Sequence, residues 1–261
     1  MIYHYTTLEG LKGIVETKKI WATAIRYLND VSEMNLFIQY MHNWLSQNIQ
    51  NPVYPAVFDE RMAKIVYDGW EDYYAISCST VDDNLTLWSE FSGRLGCEIA
   101  FDESSLIAWD RVDSNLEYIG MKNVTYNYIE SVPELVQKFN QLNTETFKDK
   151  NIDQMLEDRN ADDLYNDILK SSIYYKMHQF TPEQEVRLAF YAENRIGMKH
   201  RIRSGLIIPY IEIPIKLDSI KYVKINPYNK DGLIFMSLNN FFKDKEVAPD
   251  ILQSNIALRY Y

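Results

Sequence analysis

Two stretches of this chain hold the residue types that acid–base and electrostatic chemistry needs. In Phe180-Thr-Pro-Glu183-Gln-Glu185-Val-Arg187-Leu-Ala-Phe190, a proline-marked turn runs into a β-rich segment. In an extended chain side chains alternate with period two, so Glu183, Glu185 and Arg187 are expected on one face. Paired carboxyls raise one pKa while a nearby guanidinium lowers another, which is how a site fits carboxylates for different tasks. The same spacing also fits a solvated edge strand with its charges in water. The second stretch is Ile2-Tyr-His4-Tyr5-Thr6. His4 lies just ahead of a helix whose first-turn amides favour anions, so its imidazole is placed either at the edge of a cleft or in a hydrogen bond within the fold.

Weaker signals accompany these. Ser77-Cys-Ser79-Thr80 ends an apolar run and supplies hydroxyls to a cleft or to a turn. Trp88 and Phe91 stand one helical turn apart, a spacing that serves core packing or stacking on a flat ligand ring equally. Asn29, Asp30 and Glu33 read as helix-start chemistry. The chain carries no phosphate-loop, dinucleotide-turn, zinc-helix or nucleophile-elbow motif. Its four histidines, at 4, 42, 178 and 200, have no compact acidic partner, which argues against a metal hydrolase. Cys78 and Cys97 have no metal-ligand spacing and suit a reducing compartment, so neither a disulfide nor a metal is expected.

The elements that must position these groups follow from pattern. Ile2 to Tyr5 reads as a strand, and Thr6 or Thr7 caps the helix that follows, Thr6 with Glu9 making a capping box. Leu8, Leu11, Ile14 and Val15 are spaced for that helix, with Lys18 and Lys19 at its C-terminus. Strands are expected at Ile20 to Ala24, Tyr73 to Thr80, Gly96 to Phe101, around Tyr126, and at Glu185 to Tyr191, Leu206 to Ile215, Ile220 to Ile225 and Ile256 to Tyr260. Pro209 and Pro214 read as turn markers. Helices are expected over Met34 to Leu45, within 46–70 and at Ser237 to Lys243, and a short helix or bend at Leu85 to Phe91. A helical insertion is placed at about residues 130–176.

At 261 residues the chain exceeds the roughly 150 of an average domain, and one elaborated α+β domain over 1–261 is expected. With 46% hydrophobic and 25% charged residues it has the composition of an ordinary globular protein. A net charge of −10 disfavours a broadly basic nucleic-acid surface and leaves room for a local one, for which Lys221, Lys224, Lys199, Arg201 and Arg203 are candidates. The N-terminus has no basic flank followed by an apolar stretch, and no run of about 18 apolar residues occurs, so a cytoplasmic protein with no membrane partner is expected.

The ordered set Ile2-Tyr-His4-Tyr5-Thr6, Leu28-Asn29-Asp30, Ile76-Ser77-Cys-Ser79, Leu87-Trp88, Gly96 to Asp102, Phe180-x-x-Glu183-x-Glu185-x-Arg187 and Leu206-Ile-Ile-Pro209-Tyr210 resembles a bacterial family, DUF2971. The match spans most of the chain outside residues 103–170 or so. That family in turn resembles the ADP-ribosyltransferase superfamily, which splits NAD between nicotinamide and ribose. The resemblance implies a split, bent β-sheet core with flanking helices, and NAD as a substrate with no metal. It implies that His4, supported by Tyr5 and Thr6, contacts the adenosine-side ribose, with Ser77 or Ser79 at the middle motif position. Trp88, like Tyr27 or Phe91, becomes eligible to stack on nicotinamide. Glu185 becomes the catalytic carboxylate and Glu183 its partner toward the acceptor, with Arg187 holding a pyrophosphate or the glutamates. By the same resemblance the acceptor is a macromolecule, protein or nucleic acid, and the role that of a toxin or anti-phage effector with an antitoxin partner. An NAD glycohydrolase and a non-catalytic binding module are the alternatives.

Overall fold

The computed structural model describes residues 1–29, 33–49, 53–69, 72–126, 133–142, 145 and 147–257. Asp30 and the last residues of the strand expected at 256–260 lie outside them. Its contacts divide the chain into two compact units, one of Met1–Thr23, Tyr74–Lys122 and Pro182–Tyr261 and one of Ala24–Tyr73 and Asn123–Thr181.

The first unit is built on a large, open, bent β-sheet of mixed α+β character. Its strands are β1 (Ile2–Thr6), β2 (Lys19–Ala24), β3 (Tyr73–Ser79), β4 (Cys97–Phe101), β5 (Leu116–Asn123), β6 (Glu185–Ala192), β7 (Lys199–Arg203), β8 (Leu206–Pro214), β9 (Ile220–Ile225) and β10 (Asp250–Gln253). Along the main path the order is β10-β9-β4-β1-β3-β2-β8-β7, and a branch leaves β3 through β6 to β5. β4 is buried at all five residues, Cys97 to Phe101, rather than on alternate ones. Strands covered on both faces read as continuous apolar runs, and β4 departs from that rule at one residue, Glu98.

Helix α1 (Leu8–Thr17) buries Leu11, Ile14 and Val15 at the spacing that one helix face requires. Its cap is Thr7, whose side chain accepts from Gly10 N, whereas Thr6 closes β1. Lys18 ends the helix at φ 54°, and Lys19 already belongs to β2. Helix α4 comprises Leu85–Phe91 and is capped by Asn84. Several expectations shift. Tyr126 lies beyond β5, in a bend, because Thr125 makes only an isolated bridge to Tyr175. Pro209 and Pro214 sit inside β8, paired with His200 and Lys19, instead of marking turns. The closing strand is β10, and Ile256 and Ala257 are outside it.

The second unit is helical, with α2 (Glu33–Asn48), α3 (Val53–Gly69), α5 (Pro133–Gln141), α6 (Ile152–Leu156) and α7 (Asp162–Ser172). Aromatic packing holds it: Phe37 stacks on Tyr175 at 4.1 Å, and Phe58 meets Tyr165 at 5.9 Å and Phe139 at 6.0 Å. Arg61 is buried, donating to the carbonyls of Met155 at 2.8 Å and Asp158 at 2.9 Å and pairing with Asp162. The final helix of the chain, α8 (Gly232–Phe242), belongs to the first unit and starts five residues earlier than Ser237, because Asp231 caps it by accepting from Leu233 N.

Candidate functional site

Strand β3 organises the candidate residues, being hydrogen-bonded to β1, β2 and β6. β1 meets it antiparallel at Tyr3↔Ser79. At the next residue of β1 the side chain bridges to β3: His4 Nδ1 lies 3.0 Å from the Ser77 carbonyl oxygen. A carbonyl only accepts, so Nδ1 carries the proton and Nε2 of the neutral ring is the acceptor. Burial lowers the imidazole pKa, the Ser77 carbonyl opposes this, and the Arg201 guanidinium adds to the lowering. The neutral form is therefore the one present at pH 7.

Glu185 opens β6 and is held by the second residue along. Arg187 Nε donates to Glu185 Oε1 at 2.7 Å and Nη2 to Oε2 at 2.9 Å, a bidentate fork that fixes the carboxylate. Glu183, Glu185 and Arg187 are 4%, 5% and 0% exposed, so the solvated edge strand does not describe them. Glu183, however, does not share the strand face with the other two. It ends a 3-10 turn, His178–Glu183, and Gln184 at φ 43° breaks the alternation before β6 begins. Ser79 ties this kink to β3: its hydroxyl donates to the Glu183 carbonyl at 2.8 Å and accepts from Val81 N at 3.0 Å. Gln184 O also accepts from Thr80 N at 2.9 Å. The charge of Glu185 reaches Cys78, whose thiol is raised by burial first and by that carboxylate second. His4 and Glu185 thus lie on strands, β1 and β6, that both pair with β3.

Tyr5, Thr6 and Trp88 lie beside this arrangement as packing. The Tyr5 hydroxyl donates to Val81 O at 3.3 Å and accepts from Asn84 N at 2.8 Å, fixing the turn that starts α4. Its ring meets Trp88 edge-on at 5.0 Å. Trp88 is fully buried and donates to Asp83 Oδ1 at 2.8 Å, so it offers no open face for a ligand ring. Thr6 Oγ1 fills the space above Gly10, where an added Cβ would meet it at 2.1 Å.

The structure adds groups that sequence reasoning did not select. Glu98 is wholly buried, with Oε2 accepting from Asp83 N at 2.9 Å and Oε1 lying 3.8 Å from Lys224 Nζ. Across the sheet it faces Tyr5 on one side and Lys224 on the other. Burial, and then a hydrogen bond shared with Asp82, raise its carboxyl to about 8. Burial works against ionising Asp82 too, yet the bond with Glu98 and the contact with Lys224 hold its pKa below the usual value. The signal was a single acid inside an otherwise apolar strand. The second addition is the role of Arg201. Its Nη2 donates to Thr23 Oγ1 at 2.8 Å, its Nε is buried without a partner, and its charge acts on His4. Ser204 and Gly205, both at positive φ, close the β7–β8 hairpin that presents it.

Comparison of the chain with protein-family models, with curated proteins and with solved structures finds no match in any of the three. The family resemblance therefore stands on the ordered motifs alone, and the site on its own geometry. A shallow groove of the helical unit, bordered by Lys138, Glu145, Asp163 and Asp167, contains none of these residues.

Proposed function

We propose that the chain is an NAD-dependent ADP-ribosyltransferase, with His4 and Glu185 gripping opposite ends of one dinucleotide. The observation that carries this reading is that β1 and β6, which bear His4 and Glu185, both pair with β3, His4 also reaching it through the Ser77 carbonyl. The branch at β3, where β1 and β6 both attach, is read as the split of an ADP-ribosyltransferase-like sheet.

The residues fit the substrate. A neutral His4 whose Nδ1 is spent on Ser77 presents an acceptor at Nε2 to a ribose hydroxyl. Arg201, a partly buried cation whose Nε lacks a partner, suits the pyrophosphate. Departure of nicotinamide leaves positive charge on the ribose, and a fixed carboxylate bonded to its 2′-hydroxyl stabilises that charge as it grows. Glu185 fills this role: the Arg187 fork holds both of its oxygens in a fixed plane, so the carboxylate is oriented before the charge develops. Arg187 is a positioning residue. Glu183, at the kink before the strand, is assigned to orient the acceptor, and Ser77 and Ser79 hold the histidine and the kink in place. A toxin or anti-phage effector remains the biological role proposed.

Incubation with NAD is expected to release nicotinamide, and labelled ADP-ribose is expected to appear on a macromolecule. Glu185→Gln should abolish both with the circular dichroism spectrum unchanged. Unchanged release in that variant would remove the assignment, and release without transfer would leave an NAD glycohydrolase.

A further inference from the structure

The face of the sheet formed by β2, β8 and β7 is built unlike the rest of this acidic chain. The register aligns Thr23, Tyr210 and Lys199 in one row and Trp21 with Glu212 in the next, so these side chains share a face. Period two adds Lys19, Arg201 and Arg203 to it. The face thus gathers four cations, Lys19, Lys199, Arg201 and Arg203, against one acid, Glu212, in a chain of net charge −10. That acid is neutralised twice over, by Lys19 at 2.8 Å and Lys199 at 2.9 Å on the same oxygen.

An aromatic platform lies among the cations. Trp21 is 42% exposed although it packs at 4.5 Å against Tyr210, and the Arg201 guanidinium sits 5.1 Å from the Trp21 ring. On β7, which ends the main path of the sheet, cations recur at every second residue, about 6.7 Å apart in an extended strand. A sparse row of positive charge beside an exposed ring is how a surface tracks an anionic backbone while bases stack on it. An acidic peptide would be served by the charges alone and would leave Trp21 without a use.

We propose that this face binds single-stranded nucleic acid, and that such a strand is the acceptor of ADP-ribose. The second half rests on the transferase reading above. Lys19, Lys199 and Arg203 take backbone phosphates and Trp21 takes a base. Arg201, whose charge reaches His4, connects the face to the dinucleotide site.

The test is fluorescence anisotropy of a labelled single-stranded oligonucleotide, in RNA and DNA arms, with the full chain carrying Glu185→Gln and without NAD, so that binding is read apart from turnover. Three phosphate contacts on a single strand give log K against log salt a slope of about −2. The exposed pair Lys199→Gln/Arg203→Gln should reduce its magnitude by about 1.4, and Trp21→Ala should weaken binding about 10- to 100-fold. No binding, or equal affinity and salt slope in all variants, overturns the proposal, as does tighter binding of a poly-glutamate peptide. Binding without nicotinamide release by the wild-type chain would keep the nucleic-acid face and discard the transferase. Release with transfer only to protein, and no oligonucleotide binding, would do the reverse.

Discussion

Replacing Glu98 by glutamine should make the protein more stable at neutral and alkaline pH. The native chain holds a proton on this buried carboxyl up to about pH 8, whereas an unfolded carboxyl loses it near 4.5. Stability from this group is therefore full below about 4.5 and declines as pH rises toward 8. One proton retained by the native state alone changes stability by about 1.4 kcal/mol per pH unit, which bounds the loss between about pH 5.5 and pH 7.5 at about 2.7 kcal/mol. Glutamine is shaped like the protonated acid, donates to Asp82 where that proton stood, and still accepts from Asp83 N. Wild type and Glu98→Gln should accordingly match only below about pH 4.5, and the variant should exceed wild type by about 1.4 kcal/mol near pH 5.5 and by up to about 4 kcal/mol near pH 7.5. His4, lowered by burial, acts with the opposite sign below its ordinary value, and it cancels because both proteins carry it. Asp82, held below 3.8, acts under this window. Urea unfolding of both proteins at the two pH values reads the difference directly. Parallel pH dependences would refute the shared-proton account of Glu98 and Asp82.

Three further perturbations probe the packing around the site. Arg187→Met removes the fork from a carboxylate that is 5% exposed, and should cost about 3–5 kcal/mol in urea unfolding, most of it recovered in Glu185→Gln/Arg187→Met. Trp88→Ala should cost about 3–5 kcal/mol of stability, while the KM for NAD measured at low temperature stays unchanged, because the ring is core and not a nicotinamide platform. Gly96→Ala places a Cβ 2.2 Å from Ser92 O and 2.4 Å from Thr6 O, both backbone atoms, and should destabilise by at least about 1–3 kcal/mol in the same assay.

Local pattern made much of the sheet legible. β1, β3, β6, β8 and β9 follow their β-branched and aromatic runs within a residue or two, and the buried trio of α1 behaves as its spacing implies. What stayed hidden was set by neighbours far along the chain. Pro209 and Pro214 look like breakers, yet each has a place in the antiparallel pairing of β8. β7 is short and charged, and it is a strand because the Ser204-Gly205 turn lays it along β8. Glu98 lies within the strand expected at Gly96 to Phe101, but its burial was not visible there, because it comes from β1 and β9 flanking β4 with all five residues buried. At the candidate site the charge of Glu185 and Arg187 was visible as residue type, and their pairing follows from period two. The displacement of Glu183 was not visible, because it depends on a single residue, Gln184, adopting positive φ.

The central claim is that an imidazole on β1 and a carboxylate on β6 act on one dinucleotide. Nicotinamide release from NAD, measured for wild type, His4→Ala and Glu185→Gln at equal folded concentration, tests it most directly. The account predicts measurable release by wild type, a raised KM in His4→Ala with kcat largely retained, and loss of kcat in Glu185→Gln. Release that is absent from wild type, or that persists undiminished in Glu185→Gln, would contradict it.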